Sequence, residues 1–154
     1  MRFPTIEARD LEGDRYTLPD GLPAGRRLVL VAFRRWQQIL VDGWESRLPS
    51  LERDNPDLTV WEVPALGRRY RPARPYIDGG MRAGIIDEEV RLHTLTAYTD
   101  LRALLGELAI PDTETVHIYL LGGDGEILWS GDGEADGDKI QSLDVALRSS
   151  RPAA

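Results

Sequence analysis

Leu28-Val29-Leu30-Val31-Ala32-Phe33, followed by Arg34-Arg35 and a helical pattern carrying Trp36, Leu40, Trp44, Leu48 and Leu51, decides the fold. An unbroken apolar run without alternation reads as a strand buried on both faces, the habit of a parallel or mixed sheet. Apolar residues recurring at three and four lay one stripe of the helix against that sheet. Pro49 has no amide donor and is expected to kink or stop the helix near its end.

Working outward, Asp54-Asn55-Pro56-Asp57 is a strong stop, and Leu58 to Val63 reads as a second strand. Strand, helix, strand at this spacing is a crossover unit, so the two strands are expected to be parallel. Upstream, Leu11-Glu12-Gly13-Asp14 supplies turn residues for a small hairpin within Ile6 to Thr17, and Pro19-Asp20-Gly21 and Pro23-Ala24-Gly25 punctuate the loop that follows. Downstream, Leu92 to Tyr98 reads as a strand. Asp100 to Ala109 reads as a helix with Leu101, Leu104, Leu105 and Leu108 on its apolar face. Val116 to Leu121, the turn Gly122-Gly123-Asp124-Gly125 and Glu126 to Ser130 form an antiparallel hairpin. A last helix begins near Asp136 to Lys139 and carries Ile140, Leu143 and Leu147, with residues 149–154 expected to fray.

At 154 residues the chain fits one domain spanning residues 1–154, long enough to bury a core without staples. Nineteen basic against 26 acidic residues leave a net charge of −7, which opposes general binding to nucleic acid or to an anionic membrane surface. Lys139 is the lone lysine among those basic residues, a skew that reads as base composition of the gene rather than guanidinium chemistry. The absence of cysteine excludes disulfides, thiolate nucleophiles, Cys-ligated zinc and iron–sulfur clusters, and with them thiol–disulfide exchange and thiol peroxidase activity. Met1-Arg2-Phe3-Pro4 leads into no apolar signal region, and no apolar run approaches the ~20 residues needed to span a bilayer. A soluble, cytoplasmic protein without membrane insertion is expected.

The stretch from Pro64 to Gly84, the heart of a basic insertion over residues 64–91, carries Arg68, Arg69, Arg71, Arg74 and Arg82 against Asp78 alone. Tyr70 and Tyr76 are interleaved with them, and Pro75 to Ile86 reads as a helix despite Gly79-Gly80. Two readings stand. Tyr70, Arg71, Arg74, Tyr76 and Arg82 hold a partner, an acidic protein surface being favoured over RNA. Alternatively, the insertion is structural and its arginines pair with neighbouring carboxylates such as Asp87, Glu88 and Glu89.

Other motifs are weaker. Asp132 to Asp138 resembles the start of a calcium loop, with alternating oxygen donors and glycine at the sixth position, but Leu143 stands where the bidentate glutamate belongs. A solvated turn whose acids favour the final helix's N-terminus is the expected reading. His93 and His117 lack an Asp or His partner at metal or triad spacing, and Ser50, Ser130 and Ser142 lack a nucleophile motif.

In order, hairpin, buried strand, helix, strand, insertion, strand, helix, terminal hairpin and helix resemble the thioredoxin-like superfamily in its peroxiredoxin and thiol–disulfide oxidoreductase arrangement. Leu28 to Trp36 resembles the strand leading to that family's Trp-Cys-x-x-Cys loop, and Tyr119 to Ile127 its terminal hairpin. The resemblance implies an α/β fold with a central mixed β-sheet flanked by helices and an N-terminal hairpin. It places the two cysteine positions on Gln37 and Leu40, and the family's cis-proline near Val116. A cis bond before a residue other than proline costs roughly 3 kcal/mol, so a trans peptide is expected there. Within the superfamily, Trp36, Trp44, Val60 to Pro64, Gly80-Met81-Arg82 and Tyr119 to Trp129 resemble loosely the mitochondrial ATP-synthase assembly-factor family. That likeness implies a role in assembling a membrane complex.

The loop at Arg34, Arg35, Gln37 and Gln38, beside Val116, lies at a strand's C-terminal edge and a helix N-terminus. Free amides there favour an anion such as a carboxylate or phosphate. The bland reading leaves Arg34 and Arg35 solvated and Trp36 in the core. The functional expectation is a non-redox binding module of assembly or chaperone type, presenting this loop and the basic insertion to an acidic protein or small anionic ligand, with no cofactor, metal or catalytic residue assigned. The alternative is a glutathione-dependent transferase in which Arg34, Arg35 or Tyr70 activates the bound thiol. A self-associating structural subunit is a third reading.

Overall fold

In a computed structural model, which describes residues 1–85, 90 and 92–152, the apolar run forms β3 (Arg27–Ala32), and Leu28 to Val31 have no exposed surface. β3 sits inside a seven-stranded mixed sheet of order β2-β1-β5-β4-β3-β6-β7. Its neighbours are β4 (Thr59–Gly67), parallel as the crossover spacing requires, and β6 (His117–Leu121), antiparallel. β1 (Ile6–Asp10) and β2 (Arg15–Leu18) form the N-terminal hairpin, β5 (Leu95–Thr99) runs parallel to β4, and β7 (Ile127–Asp132) closes the terminal hairpin. That hairpin's turn needs Gly125, whose φ of 86° favours glycine and whose missing Cβ would stand 2.9 Å from Pro19.

Strand alternation divides the core in two. Val29 and Val31 face one layer with Phe3, Ile6, Trp61, Val63, Leu104 of α4 (Leu101–Glu107) and Tyr119. Leu28 and Leu30 face the other, covered by Val41 and Trp44 of α1 (Gln38–Glu45), Leu51 of α2 (Pro49–Asp54), and Leu143 and Leu147 of α5 (Gly137–Ser149). In the parallel register Leu30 lies opposite Glu62, so β4 places an acid on the face that α1 covers.

Four expectations need correction. The long helix is two, α1 and α2, preceded by a 3-10 turn at Arg35–Gln37. Pro49 opens α2 rather than closing α1, because the first helical position has no intrahelical use for an amide donor. Trp36 is 55% exposed and Gln37 is fully buried, since the tight turn shifts the phase of the helical pattern. Within the tail expected to fray, the Ser150 hydroxyl donates to the Ala146 carbonyl and accepts from buried Arg26, which also grips Asp57 and Asn55, while residues 153–154 lie outside the described ones. The insertion starts later than Pro64, as β4 continues to Gly67; a second 3-10 turn (Arg68–Ala73) and α3 (Arg74–Gly84) follow. The expected pairing with Asp87, Glu88 and Glu89, and the end of the expected helix at Ile86, lie outside the described residues.

Candidate functional site

β3 delivers Phe33 to Gln37 to the C-terminal edge of the sheet, and Gln37 turns inward. Its side-chain oxygen accepts from the amides of Phe33 at 2.8 Å and Arg34 at 3.3 Å, while its Nε2 donates to the Thr113 carbonyl at 2.8 Å. Arg34 reaches the same loop, donating to Thr113 and pairing with Glu114 at 2.9 Å. The loop that leads to Val116 is thus fastened to the 34–37 turn, and the two places expected to build the site are together. Val116 is fully buried, its carbonyl accepting from Gly133, and among the described residues the cis peptide lies at Leu18–Pro19, not here. Phe33 packs edge-on against His117, whose imidazole burial pulls its pKa down.

The Gln37 oxygen takes up the amides that an incoming anion would use at Phe33 and Arg34. What the turn presents outward is different: Arg35, Trp36 at 55% exposure and, one helical turn on, Ile39 at 72%. Gln38 donates to Asp42 along α1, and Leu40 is half-buried.

The basic insertion folds back on its own domain. Arg71 donates to the Tyr98 carbonyl and Arg74 to the Thr96 carbonyl of β5, the Arg74 guanidinium lying 4.4 Å over the Tyr98 ring. Asp78 accepts from the Thr96 and Tyr98 hydroxyls, each at 2.9 Å, and the Tyr98 phenol is pushed up first by burial and then by Asp78. Arg82 pairs with Glu12 at 3.2 Å. The structure brings Arg74 and Arg82 to one cleft of about 440 Å³ together with Arg9, where Asp10, Glu12 and Asp78 offset the arginines' charge. Tyr70, beside Arg69, stays outward with Tyr76, the latter 87% exposed.

Asp132 to Asp138 is the expected solvated turn. Asp136 caps α5 by accepting from the Lys139 amide at 2.8 Å, and the Lys139 ammonium donates to the Glu134 carbonyl.

Glu62 is the residue that sequence reasoning passed over. It is 6% exposed, and one carboxylate oxygen each from Glu62, Asp42 and Glu45 lie within 4.8 Å of one another. Burial first, then Glu45 and Asp42, push its pKa up to about 9, against a smaller opposing effect of Gln38. It lies in a cleft of about 200 Å³ together with Glu45, Leu48, Glu52, Val60, Val90 and His93. His93 stacks on Trp61 with ring centres 4.3 Å apart. Among the described residues this is the grouping with the spacing to hold a metal ion. The available signal was an acid inside an apolar strand, combined with Gln38, Asp42 and Glu45 on one helical face.

No family model and no curated protein matches the chain. Solved structures do. A putative electron transfer protein from Aquifex aeolicus is 17% identical, covers 97% of this chain and 96% of its own, and superposes with a TM-score of 0.66. An exposed lipoprotein thioredoxin from Streptococcus pneumoniae is 13% identical over 95% of this chain and 99% of its own, with a TM-score of 0.61. A member of the Sco family of cytochrome c oxidase assembly proteins, described as carrying a disulfide switch, is 13% identical over 96% and 94%, also at 0.61. The fold is thioredoxin-like, and the positions expected for the redox cysteines are held by Gln37 and Leu40.

Proposed function

We propose that this cysteine-free thioredoxin-like chain is a protein-binding module whose docking edge is the turn from Arg34 to Ile39. One observation carries the reading. The turn buries its polar Gln37 and exposes Trp36 and Ile39, two large apolar side chains one helical turn apart and flanked by Arg35. Aromatic and arginine side chains are the usual anchors of protein interfaces, whereas a core would have claimed both apolar groups. Tyr70 and Arg69 follow the C-terminal end of the adjacent parallel strand β4, so they extend the same edge. A partner with an acidic rim fits this combination. A role in assembly, as implied by the loose likeness to ATP-synthase assembly factors and as belongs to the Sco family of cytochrome c oxidase assembly proteins, is one form such binding takes.

The test is capture of partners by wild type and by Trp36→Ser/Ile39→Ser and Arg35→Glu, with circular dichroism to show that each variant folds. Capture should fall at least tenfold in the apolar variant and become less salt-sensitive in Arg35→Glu. Recovery of the same proteins in the same yield from all three would remove this edge as the docking surface.

A further inference from the structure

The cleft of about 440 Å³ between α3 and the turn after β1 shares no residue with that docking edge, and two of the polar groups lining it hold atoms of opposite kind without a partner. Asp10, the last residue of β1, is 1% exposed. Its Oδ1 accepts from the Glu12 and Asp14 amides, each at 2.9 Å, while among the described residues nothing donates to its Oδ2. The Tyr16 phenol, pushed up first by burial and then by Asp10, comes near without bonding to that oxygen. Arg74, which opens α3, spends Nη2 on the Thr96 carbonyl, and its buried Nε is likewise without a partner. Burial lowers the Arg74 pKa, Asp78 opposes this, and the nearby charge of Arg9 adds to it. The other charged groups lining the cleft are engaged, Glu12 with Arg82 and Asp78 with the Thr96 and Tyr98 hydroxyls.

A buried acceptor and a buried donor left unsatisfied are each costly, and an occupant that meets both recovers that loss. We propose that this cleft binds a small zwitterion of the α-amino acid class, its ammonium group on Asp10 Oδ2 and its carboxylate on Arg74 Nε and the Arg9 guanidinium. Both contacts are charge-assisted, the strong kind of hydrogen bond. An anion alone would leave the Asp10 oxygen unmet, and a cation alone would sit beside the like charges of Arg9 and Arg74. The volume suits a small molecule, and Leu11 and Pro75 supply apolar surface for its side chain. Neither unsatisfied atom touches bulk water, so the occupant enters as the long Arg9 and Arg82 side chains swing aside. Arg82 is free to do so because its pairing with Glu12 is solvent-facing and weak. The site stands or falls apart from the docking reading.

The experiment is calorimetric titration of the full chain with glycine, leucine, glutamate and arginine as probes, and with acetate and methylammonium as the two halves of the zwitterion. At least one amino acid should bind saturably at one per chain, and both halves at least about tenfold more weakly. Asp10→Asn keeps an oxygen for the Glu12 and Asp14 amides but sets an amide donor where Oδ2 stood, so affinity should fall at least about tenfold. Gly79 lines the cleft on α3, and a Cβ added there meets nothing within 4 Å. Gly79→Leu therefore fills the cleft without disturbing the fold and should abolish binding; it serves the same purpose if Asp10→Asn does not fold. No saturable binding by any of the four amino acids would overturn the proposal. So would acetate binding as tightly as the best amino acid, which would make this an anion site, or affinity unchanged in either folded variant, which would put the binding elsewhere.

Discussion

Replacing Gln37 tests how the turn is held once the thiol of a redox loop is absent. Gln37→Ala leaves the Phe33 amide without the acceptor it has at 2.8 Å, in a residue only 8% exposed, and an orphaned buried donor costs roughly 1–3 kcal/mol. The Arg34 amide and the Thr113 carbonyl lie nearer solvent, so water replaces those two bonds at little cost. Lost packing of the buried aliphatic stem adds about 1 kcal/mol. The total is about 3 kcal/mol, or a fall of about 10 °C in melting temperature for a chain of this size. Gln37→Met keeps most of the volume and should lose about 2 kcal/mol, separating hydrogen bonding from packing. Urea unfolding followed by tryptophan fluorescence gives both numbers. A Gln37→Met variant as stable as the wild type would show that these hydrogen bonds do not hold the turn.

Asp57 is pulled from an ordinary 3.8 down to about 2, first by its hydrogen bond from Arg26. A depressed acid contributes stability that is whole above the ordinary value and lost as pH falls through the folded one, here about 2 kcal/mol; the urea midpoint should drop across that window in the wild type and much less in Asp57→Asn. Arg74→Glu sets a carboxylate beside Asp78 and strips the donor from the Thr96 carbonyl, so it should cost about 3 kcal/mol by thermal melting, whereas exposed Arg35→Glu should stay within about 0.5 kcal/mol. A stable Arg74→Glu protein would mean that the insertion is not anchored by its arginines. Glutathione should leave the melting temperature unchanged, because the Gln37 side chain already fills the amides of the turn; a rise of several degrees would revive the transferase reading.

The fold was legible because its signals are local. An unbroken apolar strand, a helix repeating at three and four, and a glycine-rich turn between alternating segments each declare themselves within a few residues, and cysteine content is a matter of counting. The candidate site was legible in place but not in detail. Chain order put Gln37 beside the loop before Val116, yet Trp36, expected in the core, is exposed, and Gln37 is the residue that is buried. A 3-10 turn advances by three residues where the helical pattern assumes 3.6, and only the packed geometry says which rule applies. The insertion's arginines could be counted from the chain, but their acceptors, Thr96, Tyr98 and Glu12, are brought to them only by the docking of α3 near β1 and β5. Glu62 is the plainest case. As one acid in an apolar strand it meant nothing until the crossover laid α1 over β4 and set two more carboxylates above it. The pattern along the chain determined which faces are apolar; the long-range assembly of those faces decided which polar groups were left to meet, because burial and charge act through space and not along the backbone.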